Sequence, residues 1–358
     1  MTKNSHSFEK SAGPLNLAFS LSQKTGRVRM PDEGEKYLIF QPLYHMDQTK
    51  LGNALFSSPQ EFLHSFSRRI EWVESITIHA PDNTGKENLS LLEKSQEAYL
   101  EFLKSFLTAT VFNAAEFSVR PGEKIEIVPF DSGAREGGED WTYLGDTMIG
   151  NIRMKNIWEL IADVTKNNVP GDYMETGVWR GGASVFARAV LNVLGQTRRT
   201  SYVCDSFAGL PPGDRFLDAG DAGWNLMSFY LAIPEEIVAT NFKRTGLLDS
   251  NVVFAKGFFN ETMPVLRKHI KKVAVLRLDG DMYESTVDVL YHFYDKLSIG
   301  GYVIMDDWYG FPAKTAAEDF FRAHDIYPEI FPVDKIAAYW KKTVDVNIQY
   351  WRYEQNKF

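Results

Sequence analysis

The alternation of apolar and polar positions changes character partway along the chain. Up to about residue 132 it is irregular. Apolar clusters at 36–40 and 74–79 predict short strands, and a helix over 88–110 follows from Leu89, Leu91, Leu92, Ala98, Tyr99, Phe102, Phe106 and Leu107 recurring near helical spacing. Over 123–128, Ile125 and Ile127 alternate with Lys124 and Glu126, as in a half-buried strand. That strand must stop at Pro129, which has no N–H for a ladder. These pieces predict a small α+β unit, and the polar, glycine-rich run 131–140 marks its end. The expected division is therefore an N-terminal α+β region, 1–140, without nameable chemistry, and a second unit, 141–358.

From about residue 150 the pattern becomes rhythmic. Helices are predicted over 151–167, 183–194, 235–244, 261–269, 285–297 and 314–323. Between them lie short apolar runs at 173–176, 201–205, 252–256, 273–278 and 302–305, each of strand length. A tight hairpin of strands 329–333 and 337–341, turning at Asp334-Lys335, closes the series. Strands that are apolar throughout, alternating with helices, argue for a sheet buried on both faces. The expected fold is α/β, with a doubly wound, mostly parallel seven-stranded sheet. No internal repeat or low-complexity tract interrupts it.

In an open parallel sheet, ligands bind beyond the carboxyl ends of the strands, near the point where strand order reverses. The first strand runs into Glu175-Thr176-Gly177-Val178-Trp179-Arg180-Gly181-Gly182. Glycines let the backbone turn sharply and approach a ligand, and the helix that follows offers its N-terminus to a carboxylate. The spacing differs from the dinucleotide pattern G-x-G-x-x-G, and the leading Glu175 suits a cation such as a methionine ammonium. The plain alternative is a structural strand-to-helix turn. The second strand ends in Asp205, followed by Ser206, where an acid can accept from two ribose hydroxyls or simply cap a turn. After the third strand, Gly257 and Phe258 could frame an adenine.

The acids concentrate at the next two strand ends, in Asp279-Gly280-Asp281 and Asp306-Asp307-Trp308. Adjacent strands would bring Asp279 close to Asp306 and Asp307. Three unpaired carboxylates at that spacing repel, and a hard divalent cation such as Mg²⁺ relieves the repulsion through oxygen ligation. Acids capping separate helices are the alternative. Arg277, inside the fourth strand, breaks an apolar run and requires a buried acid as partner, whose identity stays open. His269, His292 and His324 do not cluster, and neither a Ser-His-Asp order nor a Walker motif is present.

Charge and composition narrow the partners. A net charge of -8 with pI near 5.5 repels phosphate backbones, and Lys271-Lys272 and Lys341-Lys342 are isolated basic pairs, so nucleic acid is not expected. The one cysteine, Cys204, sits in an apolar strand and reads as a small buried hydrophobe. With no apolar run of membrane-spanning length and a polar first twenty residues, a cytoplasmic protein is expected.

Several of these segments resemble the macrocin O-methyltransferase (TylF-type) family in order. They are Thr147-Met148-Ile149-Gly150, then 169–182 through the glycine turn, Asp205-Ser206-Phe207-Ala208-Gly209-Leu210-Pro211-Pro212, 276–286 around Asp279-Gly280-Asp281, and 300–307. Five βα units closed by a hairpin also match the class I methyltransferase sheet. The resemblance implies S-adenosylmethionine (SAM) as methyl donor, Mg²⁺ as a required ion, and ligation by Asp279, Asp306 and Asp307. It further implies a natural-product sugar or polyol hydroxyl as acceptor, a homodimer or larger assembly, and closure of Thr147 and Met148 over the donor's methionine end. Related catechol-type enzymes carry a lysine where this chain has Met282, so Asp279 is the leading general base and Asp281 the second. The long N-terminal region and the polar loop 213–228, which could form a lid, depart from the family pattern and bear on the acceptor. Rival readings are a nicotinamide-dependent dehydrogenase, an N-methyltransferase and a non-catalytic SAM-fold binding protein.

Overall fold

The computed structural model describes residues 90–117, 127–216 and 218–349, together with two short antiparallel strand pairs, Asn16–Leu17 with Ile76–Thr77 and Ser20–Leu21 with Val28–Arg29. The strand expected over 36–40, most of that over 74–79 and residues 123–126 of that over 123–128 lie outside the described residues; Ile127–Val128 pairs with Glu116–Phe117.

Seven strands form the large sheet: β1 (Asp172–Thr176), β2 (Ser201–Asp205), β3 (Val252–Lys256), β4 (Val273–Leu278), β5 (Leu297–Met305), β6 (Phe331–Pro332) and β7 (Ala338–Lys341). Their order is β6-β7-β5-β4-β1-β2-β3, with β1 to β5 parallel and β7 antiparallel to both its neighbours. This is the doubly wound sheet expected, and its order reverses between β1 and β4.

The helices are α1 (Leu91–Leu107), α2 (Ser132–Gly137), α3 (Gly150–Lys166), α4 (Gly182–Val193), α5 (Glu235–Arg244), α6 (Phe259–Leu266), α7 (Tyr283–Phe293) and α8 (Pro312–Ala323). One apolar core lies between the sheet and α1, α3, α4 and α5, with Leu100, Leu107, Met154, Ile161, Phe186 and Val190 at its centre. The other lies beneath α6, α7 and α8, around Met263, Leu290, Phe293, Ala317 and Phe320. Helix α1, assigned by the pattern to the N-terminal region, thus packs into the same core as the sheet. It starts at a capping box, in which Glu93 donates its N–H to Ser90 Oγ while Glu93 Oε2 accepts from the Ser90 N–H.

Strand β5 departs most from the expected pattern. It begins at Leu297, where the helix before it was expected to end, and α7 stops at Phe293. The cause is the pair Gly300-Gly301: Gly300 takes φ +83 and its N–H donates to Lys342 O, so the glycines bend a strand already paired with the chain beyond β7. Cys204 is buried in β2 and free, as expected. No helix among the described residues is long and apolar enough to cross a membrane.

Candidate functional site

The tips of β1, β2, β4 and β5 border one cavity of about 420 Å³. The turn after β1 fixes its floor. Gly177 has φ +87, and a Cβ there would lie 1.6 Å from the carbonyl oxygen of Asp279, so only glycine lets the β1 and β4 tips meet. Asp205 fastens the same turn from the side: its Oδ2 accepts from the Val178 N–H at 2.7 Å and its Oδ1 from the Phe207 N–H at 2.8 Å. Burial raises the Asp205 carboxyl, and those backbone donors oppose the rise. Asp205 and Ser206 both line the cavity, and Ser206 Oγ donates to Gly209 O.

Glu175 lines the cavity too, although it is buried. It accepts from Arg277 Nη1 at 2.7 Å, from Ser184 Oγ at 2.5 Å and from Tyr173 OH at 3.1 Å. Burial pushes its carboxyl up, against the Arg277 charge. Phe258 is part of the lining, whereas Gly257 lies behind it, its N–H given to Asp205 O. Thr147 and Met148 line the cavity from a strap that precedes α3. That strap is fastened by Arg180, which donates to Tyr143 O and Gly145 O, by Gly182 N–H to Asp146 O, and by an Asp146–Arg244 ion pair.

Asp279, Asp306 and Asp307 meet as their strand ends require: one carboxylate oxygen from each lies within 4.8 Å of the others. Asp306 is the most fully paired member, accepting from Arg153 Nη1 at 2.5 Å and from Arg277 Nη2, while Asp279 accepts from Arg277 Nη1 at 2.7 Å. Burial works to raise its carboxyl, but the two guanidinium groups outweigh burial and hold it below the ordinary value. Asp307 accepts from the Asp281 N–H at 2.9 Å. Burial, then the charges of Asp281 and Asp279, push it well above the carboxylate range. Asp279 is raised likewise, by burial first, with Arg277 opposing. Asp281, held at φ +57, is pushed up to about 7 by burial, then by Asp306 and Asp205. Three carboxylates that are only partly offset by Arg153 and Arg277 supply hard oxygen ligands that fit a divalent cation of the Mg²⁺ kind. Because each carboxylate oxygen has two lone pairs, Asp306 keeps acceptor capacity beside its arginines.

Other features of the site leave no local trace in the sequence. Arg153 on α3 bridges Asp306 to Asp334, the residue that caps the β6–β7 turn. The loop 213–228 is anchored rather than free: buried Asp221 accepts from the Tyr283 and Glu284 N–H groups at the start of α7. Arg215 forms a two-point ion pair with Asp288, at 2.6 and 2.9 Å. That anchored loop brings Trp224 against Phe311, ring centres 5.1 Å apart, and both line the cavity. The S-L-L-E sequence at 90–93 is the one local signal that could have marked the start of α1. None of His269, His292 and His324 lines the cavity.

A family model described as macrocin-O-methyltransferase (TylF) matches residues 94–342. The chain is 41% identical over 252 residues to a demethyldecarbamoylnovobiocin O-methyltransferase of Streptomyces niveus, covering 68% of this chain and 93% of that protein. It is 38% identical over 257 residues to an 8-demethyl-8-(2,3-dimethoxy-alpha-L-rhamnosyl)-tetracenomycin-C 4'-O-methyltransferase of Streptomyces olivaceus, covering 71% and 95%. Among solved structures, the O-methyltransferase NovP matches with a TM-score of 0.64 and 39% identity, over 70% of this chain and 100% of that one.

Proposed function

Since the chain belongs to the macrocin-O-methyltransferase family and is a SAM-dependent O-methyltransferase, we propose that it methylates a sugar or polyol hydroxyl of a natural product with the help of a divalent ion. The observation that carries the metal is the convergence of Asp279, Asp306 and Asp307 beside the β1 turn. The acceptor class is supported by the relative named for a rhamnosyl compound.

Methyl transfer from a sulfonium is an in-line displacement, so the chain must align a nucleophilic oxygen with the methyl carbon and remove its proton. In the proposed arrangement Asp205 and Ser206 hold the ribose, Glu175 and Gly177 face the methionine end, Phe258 flanks the adenine, and Thr147 with Met148 covers the donor. Asp279, Asp306 and Asp307 would hold the ion, which when bound supplies Lewis acidity that lowers the pKa of the acceptor hydroxyl. The side chain of Asp279 is 25% exposed against 5% for Asp306, so Asp279 is the better placed to take the acceptor's proton. Asp281 is the second candidate, because a carboxyl at about 7 is matched to proton transfer near neutral pH. The anchored loop with Trp224 and Phe311 forms the acceptor wall.

The test is methyl transfer from SAM to a panel of natural-product glycosides, with chelator and with added Mg²⁺. EDTA should stop the reaction and Mg²⁺ restore it. Turnover indifferent to EDTA would refute the metal, and a protein that does not bind S-adenosylhomocysteine would refute the donor site.

A further inference from the structure

Arg277 joins the donor side of the cavity to the acid cluster by direct side-chain bonds. It is fully buried, near the carboxyl end of a strand with parallel neighbours on both sides. Its register partners are Glu175 on β1 and Ile304 on β5. Side chains two apart on a strand share a face, so Glu175, Arg277, Asp279 and Asp306 all project to the same side of the sheet. The guanidinium spends its fork on three acids: Nη1 on Glu175 and Asp279, each at 2.7 Å, and Nη2 on Asp306. Each side has a further anchor of its own. Glu175 also holds Ser184 and Tyr173, and Asp306 also holds Arg153.

We infer that Arg277 is a positioning residue that sets Glu175, Asp279 and Asp306 on a single rigid fork, so that the donor and metal subsites stand or fall together. This rests on the donor and metal assignments proposed above. The fork is what matters, beyond the charge. A planar guanidinium can meet three acids in fixed directions, whereas an ammonium is a point charge on a flexible stem, so lysine is not a conservative replacement here. Partners that orient a metal's ligands cost about 10–100-fold in affinity when replaced.

The experiment uses the full chain with Arg277→Lys, which keeps the positive charge and removes the fork. Circular dichroism establishes that the variant is folded. S-adenosylhomocysteine binding is then measured by calorimetry without metal, and Mn²⁺ binding by electron paramagnetic resonance without nucleoside. Both affinities should fall at least about 10-fold. The controls separate the subsites: Asp205→Asn should weaken only the nucleoside, and Asp307→Asn only Mn²⁺. A folded Arg277→Lys that binds both ligands as the wild type does, or loses only one, overturns the inference. Should that variant fail to fold, Glu175→Gln decides. It frees Nη1 to close on Asp279 and should weaken Mn²⁺ several-fold although Glu175 stands outside the acid cluster; unchanged Mn²⁺ affinity overturns the coupling. A wild-type chain that binds neither probe overturns the functional reading itself, a result distinct from all of these.

Discussion

Replacing Asp307 by asparagine in the metal-free protein isolates the charge logic of the site. The substitution keeps a carbonyl oxygen that can accept from the Asp281 N–H, a bond of 2.9 Å in the native chain, and removes one negative charge with little change of shape. The acids it belongs to lie within 4.8 Å of one another, and at an effective dielectric near 20 two unit charges at that separation repel by about 3.5 kcal/mol. Arg153 and Arg277 both donate to Asp306, and Arg277 also donates to Asp279, so Asp307 keeps more of this repulsion than Asp306 does. Its carboxyl is raised in the fold, by burial first and then by Asp281 and Asp279. A raised carboxyl lends stability in its protonated form; that stability is complete below the ordinary carboxyl value and is lost as the pH climbs through the raised one. The wild type in EDTA should therefore lose stability as the pH rises from the ordinary carboxyl range toward the raised one, and the variant should lose less. Their difference should be smallest at the acid end of that range and grow with pH to roughly 1–3 kcal/mol, or about 3–10 °C in melting temperature. Thermal melts by circular dichroism across that range measure it directly. Saturating Mg²⁺ at the alkaline end of that range should then stabilise the wild type and leave the variant unmoved. A gap that is flat with pH, or that favours the wild type in EDTA, refutes the repulsion argument.

Two further substitutions divide the cavity by role. Asp279→Asn should lower turnover by about 10²–10⁴-fold, the usual contribution of a general base, while S-adenosylhomocysteine still binds in calorimetry; full activity in that variant removes Asp279 from the mechanism. Trp224→Ala takes away the ring that meets Phe311 at 5.1 Å, and it should raise the acceptor KM about tenfold with donor affinity unchanged. A loss confined to the donor would move Trp224 out of the acceptor wall.

How much of this was legible in advance depends on whether a feature is local. Strands β1 to β4 were readable because short, mainly apolar runs alternating with helices fit a sheet covered on both faces, and the observed bounds differ from the expected ones by at most a residue. The start of β5 was not readable, since Gly300-Gly301 has the composition of a turn and only its pairing beyond β7 makes it strand. The acids Asp279, Asp306 and Asp307 could be found because strand ends are where open sheets hold ligands. Arg153 and Asp334 could not, because a bond spanning 181 residues of sequence leaves no local trace. Arg277 falls between these cases. A charge in an apolar run demanded a buried partner, but naming it required the order in which the strands pair. Once β1, β4 and β5 are neighbours, the two-residue period alone puts Glu175, Asp279 and Asp306 on the face of Arg277. For Arg277, what the residues withheld was therefore sheet order rather than chemistry, and two pairings, β1 beside β4 and β4 beside β5, turn an unexplained arginine into the centre of the site.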